Sequence, residues 1–227
     1  MVLPCGLMTS SERPQYGHVW SIVVGAGSGA RFGGMKQYEM LGDTRVIDRS
    51  VSTARAVSDG VVVVVPASDV EREGGVAGGA SRSESVRNGL AQVPADADIV
   101  CVHDAARPFA STDLFEQVIA AIRDGADAAI PAIPVTDTIK IVAPDGSGTV
   151  ESTPDRSTLV AVQTPQAFAA VALRRAHELD EGNSTATDDA MLVERAGGVV
   201  VVVDGESPNR KITTQDDLEW ARREVEE

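Results

Sequence analysis

Short runs of Val and Ile alternate along this chain with longer amphipathic stretches, and that alternation restricts it to an α/β layer fold. The apolar runs Trp20–Val24, Gly60–Val65, Ile99–Val102, Ala128–Ala132, Leu159–Val162 and Val199–Val203 predict strands. They show little polar alternation, the pattern of strands covered on both faces in a mostly parallel sheet. Between them, Val46–Ala56, Glu84–Gln92, Asp113–Asp124, Gln166–Glu178, Asp188–Ala196 and Gln215–Glu224 predict helices. Ser111-Thr112-Asp113 and Thr213-Thr214-Gln215 mark two helix starts, where a hydroxyl can accept from the unbonded N–H groups of the first turn. Neither an internal repeat nor a linker interrupts the pattern. Residues 1–227 therefore read as one domain, with 1–17 as an extension ahead of the first strand.

One segment breaks the rhythm. From Asp137 to Arg156 the chain reads Thr138-Ile139-Lys140-Ile141-Val142, then a turn around Asp145-Gly146, then Thr149-Val150-Glu151. Asp-Gly between extended runs signals a hairpin. Both strands are too polar for a core, so 137–156 is expected to project as a β-arm and to pair with a second copy of the chain.

Composition narrows the partners. Twenty Lys and Arg stand against 34 Asp and Glu, a formal charge of −14, which disfavours nucleic acid and anionic membrane surfaces. Two cysteines, Cys5 and Cys101, supply neither a disulfide framework nor a Cys-rich zinc site, and Cys101 sits in an apolar run as a buried thiol. No apolar stretch has the length of a membrane span, and the N-terminus lacks the pattern of a signal peptide. A soluble, cytoplasmic protein is the expectation.

The chemistry concentrates after the first strand, in Gly25-Ala26-Gly27-Ser28-Gly29-Ala30-Arg31-Phe32-Gly33-Gly34-Met35-Lys36-Gln37-Tyr38. Five glycines in ten positions let backbone N–H groups crowd around phosphate oxygens, and Arg31 and Lys36 add the positive charge a triphosphate requires. Two other phosphate loops fail to fit. A dinucleotide fingerprint must open a helix at once, whereas Gly33 and Gly34 follow here and the next helical pattern begins near Val46. The Walker pattern needs Gly-Lys-Ser/Thr, but Lys36 lies between Met35 and Gln37.

This loop resembles the signature of the 4-diphosphocytidyl-2-C-methyl-D-erythritol synthases, the cytidylyltransferases of non-mevalonate isoprenoid synthesis. The resemblance continues through Gly78-Gly79-Ala80-Ser81-Arg82-Ser83-Glu84-Ser85-Val86, Val102-His103-Asp104-Ala105-Ala106-Arg107-Pro108, Asp137-Thr138-Ile139-Lys140, Thr164-Pro165-Gln166, Thr187-Asp188-Asp189-Ala190 and Lys211-Ile212-Thr213. It implies a Rossmann-like nucleotidyltransferase fold, with a mostly parallel twisted sheet flanked by helices and the β-arm serving a homodimer. The implied reaction transfers a cytidylyl group from CTP to 2-C-methyl-D-erythritol 4-phosphate with loss of pyrophosphate. Ribitol 5-phosphate as acceptor is the nearest alternative, and a catalytically silent nucleotide-binding protein is a second.

By the same resemblance Arg31 and Lys36 are the catalytic cations. Gly25, Ala26, Gly27, Gly29, Gly79, Ala80, Ser85, Asp104 and Ala105 bind CTP, with Asp104 also holding Mg²⁺. The acceptor falls to Arg156, Thr164, Thr187 and Lys211. His103 is read as structural, Arg82, Arg107 and Lys140 as ion-pair formers, and Trp20 and Trp220 as packing. Three positions depart from the family pattern: Gly25 replaces Ala, Met35 replaces the Pro before the lysine, and Ala80 stands where some relatives carry Asp. Without that proline's fixed φ, the approach to Lys36 is expected to be looser.

Overall fold

A computed structural model describes residues 17–180 and 186–226. The extension expected over 1–17 therefore lies, except for Gly17, outside the described residues, as does Cys5. The first half runs β1 (Val19–Val24), β2 (Met40–Leu41), β3 (Thr44–Arg45), α1 (Val46–Val57), β4 (Gly60–Val65), α2 (Val70–Glu73), β5 (Val76–Ala77), α3 (Arg82–Leu90) and β6 (Ile99–Asp104). The second half runs α4 (Thr112–Arg123), β7 (Ala128–Pro134), β8 (Ile141–Val142), β9 (Val150–Ser152), β10 (Val160–Val162), β11 (Gln166–Ala169), α5 (Ala170–Leu179), α6 (Asp189–Arg195), β12 (Val200–Asp204) and α7 (Gln215–Glu226).

The main sheet has the order β10-β7-β11-β6-β1-β4-β5, with β12 also on β7. Its centre is parallel: β1 lies between β4 and β6, with Val24 opposite Val64 on one side and Asp104 on the other. That register brings the ends of β1 and β6 level, where the glycine loop and the His103-Asp104 block begin. The fold is the mostly parallel α/β sandwich the alternation predicts.

Two layers of helix cover it. Ile47, Val51 and Ala54 of α1 and Leu114, Phe115, Val118 and Ile122 of α4 bury one apolar stripe against Val19, Val23 and Cys101. On the opposite face, Val86 and Leu90 of α3, Leu173 of α5 and Leu192 and Val193 of α6 pack on Ile22, Val64, Val100 and Val102. Each such side chain contributes on the order of 1.5–3 kcal/mol by leaving water, before the cost of ordering it. Ser111 caps α4 as expected, its Oγ accepting from Leu114 N–H at 3.0 Å. At α7 the cap is shared, since Asp217 Oδ2 accepts from the N–H groups of Thr213 and Thr214, both at 2.8 Å.

The structure corrects four expectations. Gln166–Ala169 is not the start of a helix but an antiparallel strand inserted between β6 and β7, and α5 begins only at Ala170. Its four residues are all buried, and pairing on both edges outweighs the helical preference of an Ala-rich run. The run Leu159–Val162 is not covered on both faces, because β10 is exposed and pairs only with β7. Val199–Val203 shifts by one residue to Val200–Asp204 and is likewise a half-exposed edge. Within 137–156 the paired residues are fewer than the sequence suggests. β8 and β9 form a separate two-stranded sheet with a register shift, and Ile141, Val142 and Val150 are all exposed. No helix among the described residues is long and apolar enough to cross a membrane.

Candidate active site

The glycine loop leaves the C-terminal end of β1 and is tied back at both ends. Gly25 N–H donates to Val64 O at 2.7 Å, and the carbonyl of Gly29 accepts from Phe32 and Gly33 at 2.8 and 2.9 Å. Phe32 is the anchor, buried with Leu41, Val46, Ile212 and Leu218 in a small core of its own. Gly29 has φ +66°, and a Cβ there would lie 1.8 Å from Gly34 O, so that turn admits glycine alone. The chain then makes a single helical turn over Lys36–Tyr38, with Gln37 buried beneath. Met35 has φ −80° and its Sδ accepts from Gln37 Nε2 at 3.4 Å. Burial lowers the Lys36 ammonium below its ordinary range, and the Lys211 and Arg31 charges lower it further. Three cations therefore converge here, with Arg31 exposed on the outer side.

Asp104 closes β6 at the opposite wall. Lys211 Nζ reaches its Oδ2 at 2.6 Å and Arg82 Nε reaches its Oδ1 at 3.3 Å. Burial by itself would raise this carboxyl, but the Arg82 and Lys211 charges overcome it and hold the group well below the usual carboxylate range. Thr164 fixes the end of the strand, its Oγ1 accepting from Asp104 N–H and pairing with His103 Nδ1, both at 3.0 Å. His103 is structural as expected: fully buried, tilted on Phe115, and lowered by burial to about 4.

The loop Gly78–Ser85 packs on the glycine loop, with Gly78 so close that a Cβ would meet that of Ala26 at 2.2 Å. Ser81 caps α3 by accepting from Glu84 N–H, and Glu84 reaches back to Ala80 N–H at 2.7 Å. Ser85 Oγ accepts from Gly79 N–H at 3.0 Å and donates to Ser81 O at 2.8 Å. The donors of Gly79 and Ala80 are thus engaged within the loop.

Two cavities meet at these residues. One, of about 140 Å³, is lined by Gly25, Gly27, Lys36, Gln37 and Ala105 among others. The second, of about 210 Å³, is lined by Arg107, Thr164, Gln166, Thr187 and Asp188. Arg82, Asp104 and Lys211 belong to both. Arg156 lines neither; it follows β9 and donates to Thr136 O at 2.8 Å. As predicted, Arg82 is an ion-pair former. Arg107 instead donates to the carbonyls of Asn209 and Val162, and Lys140 to Thr153 Oγ1.

Sequence reasoning misses what stands behind the cleft. Gln163 and Asn209 are buried there and bond to one another, Asn209 Nδ2 donating to Gln163 Oε1 at 3.2 Å. Neither carries a local signal: Gln163 is a lone amide at the end of an apolar run, and Asn209 one in a polar stretch. Asp189 and His177 are also missed, although the paired acids after Thr187 offer a cue.

Among the described residues, Asp104 is the one carboxylate lining the first cavity. Mg²⁺ commonly takes one or two protein carboxylates and fills its octahedron with phosphate oxygens and water. Asp104 thus fits as a single protein ligand, provided the ion displaces Lys211 or Arg82 from one of its oxygens.

A model of the 2-C-methyl-D-erythritol 4-phosphate cytidylyltransferase family, IspD, matches residues 19–227. The chain is 47% identical over 223 residues to the 2-C-methyl-D-erythritol 4-phosphate cytidylyltransferase of Rhodococcus jostii, covering 93% of this chain and 96% of the relative. It is 42% identical over 224 residues to the bifunctional enzyme IspD/IspF of Nitratidesulfovibrio vulgaris, covering 88% of this chain and 56% of that longer protein. Among solved structures, it resembles the 4-diphosphocytidyl-2C-methyl-D-erythritol synthase of Anaerococcus prevotii, at 31% identity and a TM-score of 0.80, over 92% of this chain and 99% of that one. The 2-C-methyl-D-erythritol 4-phosphate cytidylyltransferase of Thermus thermophilus follows at 31% identity and a TM-score of 0.77, over 91% and 98%. On its glycine loop, its paired cavities and these likenesses, the chain belongs to the 2-C-methyl-D-erythritol 4-phosphate cytidylyltransferase family.

Proposed function

We propose that this protein transfers a cytidylyl group from CTP to 2-C-methyl-D-erythritol 4-phosphate. The observation that carries the reading, beside family membership, is the junction of two cavities at the charged residues Arg82, Asp104 and Lys211, with Lys36 lining the first. An acceptor phosphate oxygen attacks the α-phosphorus of CTP, a P–O bond forms, and the bond to the β-phosphate bridge breaks to release pyrophosphate. Such a displacement needs alignment and neutralised charge more than covalent help. Lys36 and Arg31 meet the triphosphate, while the N–H groups of Ala26, Gly27 and Gly29 approach its oxygens. Those of Gly25 and Ala105 are engaged by Val64 O and Val24 O, so these two residues line the nucleotide site without donating to it. Mg²⁺ held by Asp104 supplies further neutralisation of the phosphates when bound. Gly79, Ala80 and Ser85 face the base. The first two have committed N–H groups, so the cytosine amine is met by carbonyl oxygens. Lys211, Thr164 and Thr187 take the acceptor.

Arg156 joins them from the other subunit of a homodimer built through the arm, within a single-domain cytoplasmic enzyme. Two observations support the dimer: the exposed valines and isoleucine of β8 and β9, and the absence of Arg156 from the lining of both cavities of its own chain. Pyrophosphate release with CTP, Mg²⁺ and a panel of polyol phosphates tests the assignment. Methylerythritol phosphate is expected to be the preferred acceptor. Faster turnover of ribitol 5-phosphate, or none with either, would refute it.

A further inference from the structure

Behind the junction of the two cavities lies a pair of buried residues that the reaction does not touch. Asp189, at the start of α6, is fully buried. Its Oδ2 takes Arg82 Nη1 at 2.6 Å and its Oδ1 takes His177 Nε2 at 3.0 Å. His177 is itself buried, and its Nδ1 has no hydrogen-bond partner among the described residues. A buried carboxylate is costly unless each oxygen is matched, and truncating one partner of such a pair leaves an uncompensated charge. Here one oxygen serves α3 through Arg82 and the other serves α5 through His177.

The consequence falls on Arg82. Its guanidinium is a rigid planar fork. Nη1 is pinned to Asp189 from behind and Nε lies on Asp104 in front, so both the position and the plane of the group are set. Arg82 lines both cavities, and Thr187, two residues before Asp189, lines the second. The ends of α3 and α6 are thereby tied together at the place where the two ligands adjoin.

We infer that Asp189, oriented by His177, is a positioning residue that aims Arg82 at the junction of the nucleotide and acceptor cavities. This deepens the cytidylyl-transfer reading and rests on it. Asp189→Asn keeps the shape and removes the charge that holds Arg82. Arg82 binds ground state and transition state alike in this view, so its misplacement weakens binding more than turnover. The expected result is a rise of about tenfold in acceptor KM and in the CTP Kd measured by calorimetry, with kcat changed less than threefold.

A double-mutant cycle separates positioning from general damage. In an Arg82→Ala background, Asp189→Asn should change either constant by less than twofold, because the group it aims is gone. If its effect multiplies undiminished in that background, or is absent from the wild-type background, the inference is wrong. Should Asp189→Asn melt too low to assay, His177→Gln carries the same cycle. It keeps an N–H donor for Asp189, and about threefold is expected in wild type and none with Arg82→Ala. A wild-type enzyme that binds CTP yet turns over no acceptor would refute the functional reading while the cycle is still decided on the CTP Kd. Absence of CTP binding would overturn both.

Discussion

Replacing Gly29 by Ala is expected to disable the enzyme through a carbonyl oxygen five residues away. The added Cβ would sit 1.8 Å from Gly34 O, and carbon and oxygen repel steeply below 3.0 Å, so that carbonyl must retreat by about 1.2 Å. The same oxygen accepts from Lys36 N–H at 3.0 Å, so its movement displaces the lysine's own backbone. A misplacement on the order of 1 Å at a reacting charge can cost about 10²-fold in rate. The left-handed φ of +66° adds about 1–2 kcal/mol of stability loss for any residue with a Cβ. Gly33 provides the control. It too is left-handed, at φ +86°, but a Cβ there meets nothing within 4 Å. Gly33→Ala should therefore show a similar loss of stability in a urea titration while kcat, followed by pyrophosphate release, falls less than about fivefold. If Gly29→Ala retains kcat within threefold of wild type, the turn does not place Lys36 and the reasoning fails.

Four further outcomes are expected. Lys36→Ala should lower kcat by about 10²-fold or more, the scale for removing one preorganised charge. Mixing it with Arg156→Ala should restore part of the activity after subunit exchange; dimers that exchange without recovery would place Arg156 in its own chain's site. UTP, lacking the exocyclic amine, should fall at least 10²-fold below CTP in kcat/KM, and parity would sink the base-pocket assignment. Tyr38 is raised to about 12, by burial and then by its hydrogen bond to Asp69. The neutral phenol is thus favoured in the folded state, and its contribution is complete below pH 10 and lost as pH rises from 10 to 12. Urea midpoints across that window should flatten in Tyr38→Phe, and an unchanged slope would contradict this.

What the sequence makes legible is whatever local pattern determines. β1, β4 and β6 are continuous apolar runs, and their alternation with helices makes a mostly parallel sheet legible, though not the order in which β1 lies between β4 and β6. The glycine loop declares itself because backbone crowding and cation placement are both written within fourteen consecutive residues. β11 is not legible, since Gln166-Ala167-Phe168-Ala169 has no period and flows into a helix of the same composition; only its partners on either side make it a strand. Thr164 is legible as a site residue, but not its bond to Asp104 N–H, which depends on meeting a strand end 60 residues away. The same holds for Arg82. Its charge suggests an ion pair, yet which acids it finds, 22 and 107 residues distant, is decided by the packing of α3 against α6.

The bond between Lys211 and Asp104 spans 107 residues and also orders events in time. Synthesis proceeds from the N-terminus, so β1 can acquire β4 early but must wait for Ile99–Asp104 before its other edge is closed. Asp104 then waits again, beside Arg82, until the segment after β12 brings the lysine. A nascent or truncated chain that stops before residue 211 has the nucleotide loop without the cation that completes the junction. The junction of the two cavities is therefore complete only once the segment after β12 is in place.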